Sequence, residues 1–467
     1  MPSTRLPRPL RLIALWLVLA TILLATVACA ATPTGTGTDA TPTPGGKKPT
    51  LPASEETTNL VYYVWGSDSE FALTQEIVDD FNAANPKVLV EIERSGGDYF
   101  GMLRTRYAGG NEPDVFLMDP GEVGGFLRED LLLPLDDFFA GSTLKPEDLW
   151  SVNDLYRYDG TRNGRGDLYA LIKDWSPDFM MFYNKSHLDE AGIAHPSATE
   201  PMTWAEFLAM AKKLTQRNTQ GDITRYGTMM DFVPYKHLLE YVQMAGSSLY
   251  EDGGKAFNRG DAGVLKAFQY FVDLQKGPDA PAQYSTGAQA SGSGERFAAG
   301  TVSVVWFGRW AYPSYAWDKV GFDVGVAPPP VPEKGMKATA GSSGMIAHAI
   351  SVNTRSPQAA WAFLDYYMTV GEIKVADTGF NIPGNKTIAK DRFQNVADAK
   401  VKELNRFFLD AAENYTFPVQ YSPLLSTTRV ESLLSQEISL VFEDRQTLDE
   451  ALAGAADAID DALSQAQ

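Results

Sequence analysis

From residue 59 onward, short β-branched and aromatic runs alternate with amphipathic helical stretches, and this alternation constrains the fold more than any other feature of the chain. Residues 59–65 (NLVYYVW) read as a strand, followed by a Gly66-Ser67-Asp68 turn. Phe71, Leu73, Ile77, Val78 and Phe81 then recur at helical spacing, Pro86 closes the unit, and residues 88–92 (VLVEI) form the next strand. Pro113-Asp114 leads into another short strand, VFLM. Further on, residues 169–172 and 179–183 read as strands. Thr203-Trp204-Ala205-Glu206 is a capping box that opens a helix, and residues 301–307 (TVSVVWF) form a strand after Gly300 ends a short helix. Ser356-Pro357 places an N-cap before a Pro at the first helical position, and an Ala-rich helix runs from about residue 447 to 464. The expected architecture is α/β with mostly parallel sheets.

Residues 59–467 exceed one ordinary core and predict two lobes. The composition is globular, with 44% hydrophobic and 11% aromatic residues, including 9 Trp and 20 Tyr. The formal charge of −19 becomes −22 without the three arginines of the first 28 residues. That acidic balance excludes nucleic acid, which needs basic patches, and peripheral binding to anionic lipid.

Arg5, Arg8 and Arg11 precede an apolar run, residues 12–28, that ends at Cys29. This is the layout of a secretory signal peptide. Thr26-Val27-Ala28-Cys29 resembles the lipobox of bacterial lipoproteins, which implies cleavage before Cys29 and lipidation of its thiol. Thr26 stands where Leu is usual. The alternative is an uncleaved membrane anchor, for which 17 residues is short. Cys29 is the only cysteine, so no internal disulfide forms. Residues 30–58, rich in Thr, Pro and Gly, lack apolar periodicity and read as an extended tether.

Three blocks carry a family resemblance. The first runs from Leu168-Tyr-Ala-Leu-Ile172 through Met181-Phe-Tyr-Asn184-Lys185 and Ala191-Gly192-Ile193 to Pro201-Met-Thr203-Trp204-Ala-Glu206. The second is residues 297–310, FAAGTVSVVWFGRW, and the third is residues 341–351 followed by Ala359-Ala360-Trp361-Ala-Phe363-Leu364. In that order they resemble family 1 extracellular solute-binding proteins, the sugar receptors of bacterial ABC importers. Lys173 stands where the family often has Pro, and Ser303-Val304 where Ala-Met is usual. The resemblance implies a two-lobed periplasmic-binding-protein fold of type II with hinge crossings near residues 172–175, 340–346 and 395–405. Lobe 1 would comprise 59–172 plus 346–400, and lobe 2 would comprise 173–340 plus 401–467. Ligand would sit between the lobes at strand carboxyl ends, and the lobes would close on it by hinge motion.

Sugars present apolar faces and a rim of hydroxyls, so aromatic planes plus carboxylate acceptors and guanidinium donors are the residues to seek at strand ends. Trp65 ends the first strand; Asp68 stands next to it, able to contact ligand or to cap the following helix, with Glu70 a weaker candidate. Tyr99 lies in another strand-end loop. Asp119 precedes Pro120-Gly121 and offers either a ligand acceptor or an Asx turn. Asp174 and Trp175 sit at the expected first crossing. Trp306, Gly308, Arg309 and Trp310 form the densest cluster, although Trp306 shares a strand face with Val302 and Val304 and is equally a core residue. Trp310 matches the stacking Trp that the family carries after Gly. Gly341, in Gly341-Ser342-Ser343-Gly344, allows close backbone approach at the second crossing, and Arg429 precedes a helix led by Glu431.

The four histidines show no metal spacing, HExxH is absent, and there is neither a nucleophile elbow nor a P-loop. Residues 159–167 lack the spacing and final Glu of a calcium loop and read as a hairpin turn. The resemblance to the solute-binding family implies a non-catalytic, cofactor-free, monomeric receptor, anchored outside the cytoplasmic membrane through Cys29 and delivering a sugar to permease subunits. Two alternatives stand beside it. One is the same receptor class with another cargo: Arg94, Arg309 and Arg429 would suit an anion such as a glycerophosphodiester, whereas Asp68, Asp119 and Asp174 would suit a polyol or polyamine, and a peptide is a further option. The other is a secreted glycoside hydrolase, which would need two carboxylates about 5 or about 6.5–9.5 Å apart across a cleft.

Overall fold

The structure, a computed structural model, describes residues 57–229, 234–251, 253–277, 279–282, 292–339, 344–416 and 421–466. Cys29, the tether and Gly341 lie outside the described residues. Two sheets organise the rest. The first takes β1 (Thr58–Val64), β2 (Val88–Arg94), β3 (Val115–Met118), β4 (Ala170–Trp175), β8 (Ile346–Ile350) and β9 (Ile382–Pro383), in the order β9-β4-β8-β3-β1-β2. The second takes β5 (Met180–Asn184), β6 (Val304–Phe307) and β7 (Val324–Ala327), in the order β6-β5-β7.

The expected α/β architecture is present, but the parallel expectation holds only in part. β1 pairs parallel with β2 and β3, while β8 lies antiparallel between β3 and β4. The second sheet is antiparallel throughout. The parallel pairs are those joined by local helical crossovers, α1 (Asp68–Ala84) and α2 (Tyr99–Gly109). Strands arriving from far along the chain are free to enter in the opposite sense.

Local chemistry sets the helix starts. Ser67 caps α1 through a capping box with Glu70, and Thr203 does the same with Glu206 for α4 (Trp204–Leu214). Phe207, Ala211 and Leu214 of α4 are buried at helical spacing. Trp204 stacks on Tyr270 of α6 (Ala262–Gln275), with ring centroids 4.4 Å apart and planes 3° from parallel. In the last stretch, Phe408 of α8 (Ala399–Asn414) packs on Phe182 of β5, so α8 belongs with the second sheet. α9 (Thr427–Phe442) packs along α10 (Leu448–Ala466) and against α5 (Pro234–Met244).

The chain leaves the first sheet at residues 176–179. This is later than expected, because β4 continues through Lys173, Asp174 and Trp175. It returns between β7 and β8, and leaves again shortly before α8. At the first exit, a Cβ on Gly308 would fall 1.8 Å from Asp178 Oδ1 and 2.6 Å from Ser176 Oγ. The absence of a side chain there lets the second sheet close on the crossing. Gly308→Ala should therefore cost about 1–3 kcal/mol by overpacking, read as a lowered denaturant midpoint at constant slope; an unchanged midpoint would disprove the close fit.

His187 lies at the base of the second sheet, its Nδ1 3.0 Å from Ser303 Oγ. Burial, aided by the Arg225 guanidinium, lowers its pKa to about 4. The unfolded chain takes up this proton near pH 6.5, so the contribution of neutral His187 to stability is whole above pH 6.5 and declines as pH falls towards 4. The melting-temperature difference between wild type and His187→Gln should accordingly shrink from pH 7 to pH 4.5. Parallel curves would contradict the assignment.

Candidate functional site

Between the two sheets, the exit from β4, the carboxyl end of β3 and the carboxyl end of β6 converge. Pro177 supplies no N–H, so the ladder ends there, and Ser176 turns its hydroxyl to accept the Arg309 N–H at 2.6 Å. Asp178 Oδ1 accepts from Trp310 Nε1 at 3.0 Å. A Cβ on Gly344, which has φ +72°, would lie 2.4 Å from Asp178 Oδ2. Asp178 is thus held between residues from β6 and from the second crossing.

Tyr421 is buried. Burial first, then the nearby carboxylates of Asp119, Glu240 and Asp178, push its hydroxyl well above the usual tyrosine range. Asp119 follows β3 and accepts the Gly121 N–H at 2.8 Å, an Asx turn. Glu240 lies fully buried on α5. Tyr156 lies between the strands: its hydroxyl sits within hydrogen-bond distance of Met118 O (2.8 Å) and Met345 O (2.7 Å) and donates its one proton to either, joining β3 to the start of β8. The group is thus a tyrosine within electrostatic reach of three carboxylates, one of which, Asp178, holds the partly exposed Trp310, whose ring packs edge-on against Phe307. Its chemistry is that of multiple hydroxyl or ammonium acceptors beside aromatic planes.

The remaining expected site residues are placed differently. Trp65 is half-buried edge-on against Tyr99 and Phe100, with centroids 4.3 and 5.6 Å away. Asp68 neither caps α1 nor faces the junction; it pairs with Arg94 at 2.7 Å with its side chain 96% exposed, while Ser67 and Glu70 make the cap. Tyr99 is a core residue, its hydroxyl lying 3.0 Å from each of the Tyr63 and Leu117 carbonyls, donating its one proton to either, and accepting the Leu117 N–H. With its polar atom spent on the strands, Tyr99 leaves the candidate set.

Asp174 is buried within β4 beside Lys173 and accepts from Asn381 Nδ2 at 2.9 Å. Burial works against the Lys173 ammonium, but the adjoining Asp174 carboxylate overrides it and keeps the pKa above the usual lysine value. Trp175 is wholly buried, edge-on to Trp150. Both residues lie in the first sheet because the strand continues past the expected crossing. Trp306 takes the core alternative, stacked on Phe179 (4.9 Å, 19°) with its Nε1 bonded to Thr228 Oγ1 at 3.1 Å.

Arg309 is only 2% exposed; its Nε donates to Asn405 Oδ1 at 2.7 Å and its guanidinium lies over the Tyr312 ring. Burial, partly offset by Tyr312, lowers its pKa to about 10. This arginine ties β6 to α8 and is turned away from the carboxylates. Arg429 does not precede its helix: α9 starts at Thr427, capped by Ser426, and Arg429 is exposed on its first turn.

Of the twelve expected contacts, the structure brings Gly308 and Trp310 together at Asp178, and Asp119, like Glu240 and Asp178, lies within electrostatic reach of Tyr421. Asp178 carried a signal in sequence, the Ser176-Pro177-Asp178 break between two strands. Glu240 and Tyr421 carried none, since each belongs to the group only through packing. The three arginines that would have suited an anion do not converge. A groove of about 1030 Å³ lies elsewhere, between β7 and α8, lined by Tyr312, Phe322, Asp323, Lys400 and Phe407 among others. It shares no residue with the carboxylate group and its mixed charges converge on no single chemistry. Among the described residues, no cluster of His, Cys, Asp or Glu is placed to hold a metal ion, and no helix is long and apolar enough to cross a membrane.

Residues 76–404 match the family of bacterial extracellular solute-binding proteins. An uncharacterised lipoprotein of Streptomyces antibioticus is 28% identical over 324 residues, 65% of this chain and 65% of that protein. A maltotriose-binding protein of Pyrococcus abyssi is 22% identical over 308 residues, 65% of this chain and 61% of that one. The chain thus spans somewhat under two thirds of the length of these curated relatives. Among solved structures, the sugar-binding protein MalE of Xanthomonas citri superposes with a TM-score of 0.71 at 22% identity, over 87% of this chain and 98% of that one. An ABC substrate-binding protein of Listeria monocytogenes, in complex with cycloalternan, gives 0.70 at 18% identity, over 88% and 100%. At these identities the likeness establishes the two-lobed binding-protein fold. The family match covers well over half of the sequence, and the chain belongs to the bacterial extracellular solute-binding proteins.

Proposed function

We propose that the protein is the sugar-capturing receptor of an ABC importer, without catalytic activity of its own, held outside the membrane by lipidated Cys29. The observation that carries this reading is the junction itself. Trp310 donates to Asp178, and Asp178 is one of three carboxylates, with Asp119 and Glu240, that act on the buried Tyr421 hydroxyl. An aromatic face with several fixed acceptors meets the two needs of a sugar, stacking on its C–H face and hydrogen bonding to its hydroxyls. The maltotriose and cycloalternan ligands named for similar proteins support the class of cargo.

In this reading the two sheets are the moving lobes, residues 176–179 are the first hinge strand, and the chain acts as a monomer that presents its cargo to permease subunits. A cationic solute such as a polyamine is the second reading, because neighbouring carboxylates also suit an ammonium group.

Calorimetry against mono- and oligosaccharides, with polyamines as the second arm, tests both. Sugar heats with no polyamine heat are expected, and silence across the sugars would end the first reading. For any sugar that binds, Trp310→Ala should weaken affinity at least about tenfold by loss of stacking; an unchanged Kd would remove Trp310 from the site. Conversion of the bound sugar to product would instead reveal a hydrolase. Cys29→Ser should shift the chain from the membrane to the soluble fraction, with loss of the lipid mass; persistence in the membrane would mean an uncleaved anchor.

A further inference from the structure

The segment that carries Tyr421 continues into α9 across both lobes. On the side of the second sheet it is fixed by chain continuity with α9 and by Ser422, whose Oγ donates to Gly254 O at 2.7 Å and accepts the Leu424 N–H at 3.1 Å. A Cβ on Gly254, where φ is +99°, would fall 2.5 Å from Pro423 Cδ and 3.0 Å from Ser422 Cα.

On the side of the first sheet the segment meets α3 (Val123–Arg128) and the turn before it. A Cβ on Gly124 would lie 2.9 Å from the Pro423 carbonyl oxygen, and one on Gly121 would lie 1.8 Å from Thr427 Oγ1. The Thr427 N–H donates to Gly121 O at 3.0 Å, the Arg128 guanidinium donates to Pro423 O, and Thr428 Oγ1 is 3.4 Å from Glu122 Oε1. Phe126 of α3 packs with Phe100, Tyr107 and Phe116, so α3 moves with the first sheet.

We propose that residues 421–428 are an interlobe latch, with Gly124 and Arg128 as positioning residues that set the affinity for ligand without touching it. Bare backbone on both flanks lets the segment lie flush against each lobe. Because α9 stays with the second lobe, opening must part Pro423 and Thr427 from Gly121, Gly124 and Arg128. Asp119 accepts the Gly121 N–H at 2.8 Å beside the Gly121–Thr427 contact, so ligand held at Asp119 and the closed latch stabilise one another. The inference rests on the two-lobed receptor reading and adds where closure is sensed.

Hydrogen exchange of the full chain, followed by mass spectrometry, tests the latch without any ligand. Peptides spanning 421–428 and 119–128 should exchange about tenfold faster in Gly124→Ala, and less so in Arg128→Gln, with α10 unchanged. Arg128→Lys, which keeps a donor for Pro423 O, should restore most of the protection. Arg128 is exposed, so its variants fold even if Gly124→Ala does not.

With maltotriose as the probe, each loosened variant should show a raised Kd, because the competent closed population is smaller. Unaltered exchange in Gly124→Ala and Arg128→Gln would overturn the latch. Wild type that ignores maltotriose would count against that cargo and leave the exchange result to decide the latch on its own.

Discussion

The antiparallel insertion of β8 between β3 and β4 is the constraint on which the rest of the structure depends. Ala347, His348, Ala349 and Ile350 pair with Met118, Leu117, Phe116 and Val115 on one side, and the strand pairs with residues 170–174 on the other. Without β8 the first sheet would fall into two fragments with buried, unpaired edges, a cost no small lobe can carry. The chain must therefore complete most of the second lobe and then come back. His348 is part of this closure: burial, with the Lys173 ammonium nearby, holds its pKa well below the usual range, and its Nδ1 lies 3.0 Å from the Tyr62 hydroxyl of β1. A strand contributed from far downstream is thereby fixed to the first strand of the fold.

Repeated crossing forces the junction to be made of turns and strand ends, where backbone groups lack ladder partners and side chains supply them. Ser176 accepts a backbone N–H from the opposite lobe, Tyr156 joins two strands by their carbonyls, and Asp178 takes the indole N–H of Trp310. Glycines at 308 and 344 admit Asp178 close to the backbone. The residues that shape the candidate site are thus the ones that let two lobes meet at all. On the opposite rim, Gly121, Gly124 and Gly254 do the same for the 421–428 segment. The two sets of contacts span the same pair of lobes, which is the physical condition for coupling closure to binding.

Much of the fold was legible because local rules wrote it. The capping boxes at Ser67 and Thr203, the Pro357 start of the helix after β8, and the runs that became β1, β2 and β3 all act over a few residues. The parallel expectation failed at β8 because pairing sense is set by where a distant strand enters, which periodicity does not encode. The candidate site was less legible. Asp174 and Trp175 looked like hinge residues, and three more residues of β4 buried them. Tyr99 looked like a loop residue, and its hydroxyl is fixed between strands. Asp119 and Trp310 each follow a strand end, as the sequence pattern indicated.

What the sequence determined by itself is local. It set the α/β alternation, the helix caps, the acidic balance and the arrangement of Arg5 to Cys29, each fixed by neighbours within a few positions or by simple composition. Tertiary structure decided what depends on distant partners: that β8 completes the first sheet, that Arg309 faces Asn405 rather than the junction, and that Glu240 and Tyr421 join Asp119 and Asp178. The reason is range. Caps and periodicity involve contacts a turn apart, whereas a site between lobes is assembled from segments more than a hundred residues from one another, and only packing chooses which of their side chains meet.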